Sequence, residues 1–279
     1  LSPCRPDAAI PEKRTSAAVE ENMKSFHPRT LLFFIVTLLV WSAVLAPGIA
    51  VAADRTDSLV TAAEMGLVDD VRHMLDAGAD PDGRNASGWT ALMQASMNGH
   101  VKIVQLLIAR GADVNAKGDA GWQALMLAAQ FGHKDIVRTL LQQKAEVNAA
   151  SRNGSTALMF AAGNGHIDVV KDLLQAGANV SARDYMGRTA LMFATIDGYD
   201  RIARLLIQSR SDINVIDKEG NTAAMLAVRC GHEDVLRSLL AACPDLTLKN
   251  ANGKTALHVA EEKQAQRFIE LLQAPPPCR

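Results

Sequence analysis

The sequence predicts an all-α repeat solenoid. Two glycine series carry that prediction. Gly88, Gly121, Gly154, Gly187, Gly220 and Gly253 recur every 33 residues, and Gly66, Gly99, Gly132, Gly165, Gly198 and Gly231 follow at the same interval. A fixed period of this size marks a solenoid, because each unit is one supersecondary element that buries its face only against its neighbours. Composition agrees: aromatics are only 4 % of the 279 residues, the balance expected of helices packed closely through small and aliphatic side chains.

The chain does not begin with the repeat. Residues 1–22 are polar, show no apolar period and read as a disordered extension, with translation expected to start at Met23. Met23, Lys24 and Arg29 form a short basic region. Leu31 to Leu45 is almost purely apolar, Pro47 and Gly48 break it, and Ala50-Val51-Ala52 offers a small-x-small cleavage pattern. That order is the secretory signal, placed at 23–53. The competing reading is an uncleaved membrane anchor, whose helix would have to continue through Pro47-Gly48 to Ala53 to reach the ~20 residues a spanning helix wants. Cleavage would start the mature chain near Ala53 or Asp54.

The repeat domain is expected over 54–273, with units near 57–87, 88–120, 121–153, 154–186, 187–219, 220–252 and 253–273. Thr90, Thr156, Thr189, Thr222 and Thr255 stand where a hydroxyl N-caps the first helix of each unit, with Gln123 a weaker cap in unit three. The second glycine series reverses the chain. Ile103, Val104, Leu107 and Ile108 then recur at helical spacing as the buried face of a second helix. Gly78, Gly111 and Gly177 sit where a helix ends in the left-handed conformation. Lys144, Arg210 and Cys243 hold the equivalent places, at a cost of roughly 1 kcal/mol wherever they keep that conformation. The first and last units are degenerate and polar, as the ends of a stack must be. Residues 274–279 form a proline-rich tail.

One unit in full reads Gly88-Trp-Thr-Ala-Leu-Met-Gln-Ala, Gly99-His100, Ile103-Val104, Leu106-Leu107 and Gly111-Ala-Asp-Val-Asn115. It resembles the ankyrin repeat, and the likeness runs from about residue 57 to 273. Ala stands for the family's Pro, and Met93, Met126, Met159, Met192 and Met225 stand for its His, which only His258 keeps. The resemblance implies about seven helix-turn-helix units joined by β-hairpin or loop fingers. It also implies a non-catalytic protein-binding module whose partner lies on a concave face of fingertips and first helices. The matching positions here include Trp89 and Met97 in unit two, and Trp122 and Phe131 in unit three. They continue with Tyr185, Met186, Arg188 and Ile196 in unit five, and Arg229 in unit six. Trp, Tyr and Arg are the types that most often carry interface energy, so units two and three are expected to present an apolar strip. The alternative is that these aromatics only pack on their own fingers. Phe160 and Phe193, inside first helices beside alanines, read as core.

Other chemistry finds little support. Lys+Arg total 29 against 30 Asp+Glu, without the basic excess of a nucleic-acid binder. His100, His133, His166 and His232 recur in register, but units roughly 10 Å apart cannot bring them to one zinc with ligands at about 2.0–2.1 Å. In the family this His braces the turn. Gly253-Lys254-Thr255 lacks the upstream glycine of a phosphate loop, since Leu248 stands there. No Ser, Cys or acid stands beside a plausible base, so no catalytic residue, metal or cofactor is expected. Cys230 and Cys243 should lie at opposite ends of a helix pair, too far apart to bridge. Cys243 and Cys278 are either stapled through the proline tail or free. The expected location is the periplasm or the cell exterior, with an anchored scaffold or a secreted effector as alternatives. Some exported bacterial ankyrin-like proteins are associated with oxidative-stress enzymes such as catalase, which suggests one class of protein partner.

Overall fold

The computed structural model describes residues 58–277. The expected signal or anchor segment, the residues before it and Cys278 lie outside that range. Seven helix pairs follow one another. The first helices are residues 58–65, Ala91–Asn98, Ala124–Gln130, Ala157–Gly163, Ala190–Ile196, Ala223–Cys230 and Ala256–Glu262. Their second helices are Val68–Asp76, Val101–Ala109, Lys134–Gln142, Ile167–Gln175, Asp200–Gln208, Glu233–Leu240 and Gln266–Gln273.

Five of the first helices begin at a threonine cap. Thr90, Thr156, Thr189, Thr222 and Thr255 accept a hydrogen bond from the third residue of their helix at 3.3–3.5 Å. Gln123 makes no such cap. Its longer side chain instead donates Nε2–H to the Asn115 carbonyl at 3.0 Å, so the third unit is closed sideways and not at its helix end. In the last unit His258 completes a reciprocal cap with Thr255, 2.7 Å from hydroxyl to Nδ1. A thioether cannot do this, and Met93, Met126, Met159, Met192 and Met225 are buried in the core instead.

The core is one column of small and branched side chains. Ala91, Ala95, Ala124, Ala128, Ala161 and Ala194 let successive first helices approach closely, while Ile103, Val104 and Leu107 and their counterparts fill the space under the second helices. Burying one such aliphatic side chain is worth about 1.5–3 kcal/mol. Ion pairs link the second helices on the outer surface, such as Arg138–Asp172 at 2.8 Å and Arg110–Asp76 at 3.0 Å. Exposed pairs of this kind add little each.

The fingers are less regular than β-hairpins. Among the described residues they hold two isolated antiparallel bridges, Arg84 with Thr90 and Ala150 with Thr156, and no strand. The reason is their size. Each tip turns at a glycine such as Gly187, at φ 77°, and the side chain three residues before closes the loop. Asp184 Oδ1 accepts from Met186 N at 2.9 Å and from Arg188 N at 2.8 Å. Too few residues flank that turn to extend a ladder. Unit three has Gly118 at this position, and its finger collapses into a short 3-10 turn, Asp119–Gly121, with Ala120 at φ 57°.

Units are joined by two repeated devices. His100, His133, His166 and His232 donate Nε2–H to the carbonyls of Glu64, Met97, Gln130 and Ile196 at 2.9–3.0 Å. The imidazole therefore ties units two, three, four and six to the unit before, and does not only brace its own turn. The second device lies beyond the second helices. Asp82, Asn115, Asn148 and Asn214 accept a hydrogen bond from a backbone N–H of the next unit at 2.7–2.9 Å. Ser181 takes the corresponding place between them and is too short for that bond.

The non-glycine helix ends keep the left-handed conformation, with φ of 64° at Lys144, 63° at Arg210 and 57° at Cys243. Cys243 and Cys230, the cysteines among the described residues, are both disulfide-bonded. The expected partner of Cys243, Cys278, lies outside the described residues.

At Gly78, Gly111 and Gly177 no atom lies within 4 Å of where a Cβ would sit, so the cost at Lys144 and Arg210 is conformational. Lys144→Gly and Arg210→Gly should each stabilise by about 0.5–1 kcal/mol after the added freedom of the unfolded chain is subtracted. The readout is a higher urea midpoint at unchanged slope. Ser181→Asn should supply the missing bond to Asp212 N and stabilise by about 0.5–1.5 kcal/mol, while Ser181→Ala leaves the midpoint where it is.

Candidate protein-binding surface

Three rows of positions, each repeating with the unit, line the groove between fingers and first helices. The residue after the fingertip glycine reads Trp89, Trp122, Ser155, Arg188, Asn221 and Lys254 along the stack. The fourth position of the first helix reads Gln94, Leu127, Phe160, Phe193, Leu226 and Val259. The position near its end reads Met97, Gln130, Gly163, Ile196, Arg229 and Glu262.

At units two and three the rows make an apolar surface. Trp89, Met97 and Trp122 are half-buried and pack over Met93, Ala116 and Leu127, a small cluster set apart from the main core. Trp122 reaches the next unit, where its ring stacks on Phe160 with centroids 4.6 Å apart and planes at 27°. A stacked contact at this distance suits two π-systems, and it is possible because unit four has the small Ser155 at the position Trp122 holds in unit three. Phe160 and Phe193 are half-buried. They pack against the main core as their alanine neighbours predict, and their open sides also face this groove. Phe131, beside the turn, is 41 % exposed. Its counterparts Asn98 and Asn164 donate to helix-end carbonyls at 2.9 and 2.8 Å, a role a phenyl ring cannot take.

Unit five differs from expectation. Ile196 is only 3 % exposed, because it ends its helix facing unit six, and its carbonyl is held by His232. It offers no surface to a partner. Arg188 is committed to its own finger and first helix: Nη2 lies 2.7 Å from Asp184 and the guanidinium sits 4.6 Å over the Phe193 ring. Met186 is half-buried, and its carbonyl accepts from Lys218 N at 2.8 Å. Tyr185 is 56 % exposed, with Lys218 Nζ 5.6 Å above its ring. In unit six Arg229 reaches across the groove to Glu219 at 3.1 Å.

The structure thus brings Trp89, Met97 and Trp122 together. It leaves Phe131 and Tyr185 exposed at other points and turns Arg188 and Ile196 to internal work. Phe160, Lys254, Glu262 and Lys263 were missed as groove residues. The signal for Phe160 was present in the sequence, since the fourth helix position repeats with the same period as the fingertips.

The family model described as ankyrin repeats (3 copies) matches residues 59–151, 143–217 and 204–276. The chain belongs to the ankyrin-repeat family. No curated protein matches it. Ankyrin repeats are generally protein–protein interaction modules and typically non-enzymatic, and the groove just described lies between the fingers and first helices of this ankyrin stack. The stacked pair at its centre is open to measurement. In a Trp41→Phe/Trp89→Phe background, Phe160→Ala should shift Trp122 emission to the red and raise its acrylamide quenching, since one face of the indole loses its cover.

Proposed function

We propose that this ankyrin-repeat chain is an exported binding module that holds a partner protein on its groove, anchored at units two to four. The observation that carries this reading is the joined apolar surface of Trp89, Met97, Trp122 and Phe160, half-exposed on a fold that does not require aromatics there. Large aromatic side chains left partly open to water cost solvation that a partner recovers on binding.

Export is supported by the basic, apolar and small-residue order of residues 23–53. Cys230 and Cys243, each held in a disulfide, fit an oxidising compartment. The periplasm or the cell exterior meets that condition. An anchored scaffold is the second reading, favoured by the apolar run from Leu31 to Leu45; among the described residues no helix is long and apolar enough to cross a membrane. An oxidative-stress enzyme such as catalase is one partner class, by analogy with other exported ankyrin-like proteins.

Crosslinked capture from a detergent-free envelope extract tests the reading, with Trp89→Ala of matched thermal stability as the comparison. A partner held by the parent and lost in the variant is the expected result. Equal capture by both would move the site away from units two and three. Recovery of the chain only after detergent would replace the exported module by the anchored scaffold.

A further inference from the structure

Beyond the aromatic strip, the groove changes character. Between the fingers and first helices of units six and seven it encloses about 490 Å³ and is lined by four cationic side chains, Lys218, Arg229, Lys254 and Lys263, against two carboxylates, Glu219 and Glu262. Both carboxylates are already engaged. Glu219 lies 3.1 Å from Arg229, and Glu262 pairs with Lys254. Each pair runs from a finger to a first helix, so the two cross the groove side by side, one unit apart. Val259 is half-buried and Met225 buried in the same lining.

We propose that this C-terminal stretch of the groove takes an acidic segment of the partner protein, an inference that rests on reading the chain as a protein-binding module. The occupant follows from charge. Lys218 and Lys263 are exposed, and no carboxylate lining the groove remains to neutralise them. Lys218 lines the groove, with its ammonium 5.6 Å from the centroid of the Tyr185 ring. All four members of the two crossing pairs are more than a third exposed, and pairs in water hold together only weakly. An arriving carboxylate draws Arg229 and Lys254 from their partners at small cost while gaining Lys218 and Lys263.

A random 12-residue peptide library displayed on phage, selected against the full chain and read by sequencing, tests this. The expected result is enrichment of Asp and Glu in the selected peptides. Synthetic copies should bind the Lys218→Glu/Lys263→Glu variant about tenfold more weakly, and unchanged thermal unfolding would show that the variant is folded. Selected peptides without acidic enrichment, or acidic peptides that bind the charge-reversed variant equally well, would overturn the proposal. If those non-acidic peptides are lost with Trp89→Ala, the protein-binding reading survives and only the acidic segment falls. No enrichment of any sequence by the parent counts against both. A labelled oligodeoxythymidine bound as tightly as the acidic peptides would also overturn it, assigning the cations to nucleic-acid phosphate.

Discussion

The stack depends on what happens to the carbonyls at the ends of its first helices. A helix leaves its last carbonyls without partners in its own ladder, and in a solenoid those ends are covered by the next unit, away from water. The imidazole of the following unit meets that need. It also explains the glycine before it. A Cβ at Gly99 would lie 2.7 Å from the His133 ring, in addition to opposing the φ of 81° found there. Gly66 and Gly198 stand in the same relation to His100 and His232, and Gly165 to Tyr199. One small residue and one ring are thus a matched pair belonging to different units, and the 33-residue interval between glycines is the interval at which the pair must recur.

From that constraint the rest follows by position. With the turns locked, the first helices are parallel neighbours whose alanines set the spacing, and the fingers are carried forward in register. Residues free of these duties come in rows, and the rows are where the chain differs from unit to unit. Apolar rings occupy them in units two to four, an internal Arg–Asp–Phe arrangement in unit five, and charges in units six and seven. A single scaffold therefore presents a surface whose chemistry changes along its length, which is how a repeat protein reads an extended partner without a built pocket.

Much of this was legible before any coordinates. The period, the caps and the helix faces were read from residues whose roles are local, and local roles survive folding. The non-glycine helix ends were legible too, because Lys144, Arg210 and Cys243 each stand in a series whose other members are glycine. What escaped were relations between units. Nothing in the sequence near His133 says that its partner is the Met97 carbonyl rather than its own turn. Ile196 shares its position with Met97 and Arg229, yet its branched side chain is buried against the next unit. Trp122 reaches Phe160 only because Ser155 is small, a fact about three residues in two units. The groove residues Lys254 and Lys263 belong to a unit that sequence reasoning treated as a polar end cap.

The methionine column has a chemical consequence. Met93, Met126, Met159, Met192 and Met225 stand where relatives of this repeat carry histidine, and each is no more than 2 % exposed. Oxidation would turn an apolar thioether into a polar sulfoxide that the column has no room or partner for. Peroxide reaches those sulfurs only when the stack opens, so their survival is set by the protein's own breathing and not by the oxidant's abundance. Met65, at the start of the stack and 65 % exposed, has no such shelter. In an oxidising compartment the damage would begin at that outer residue, while the column behind it ages on the timescale of unfolding.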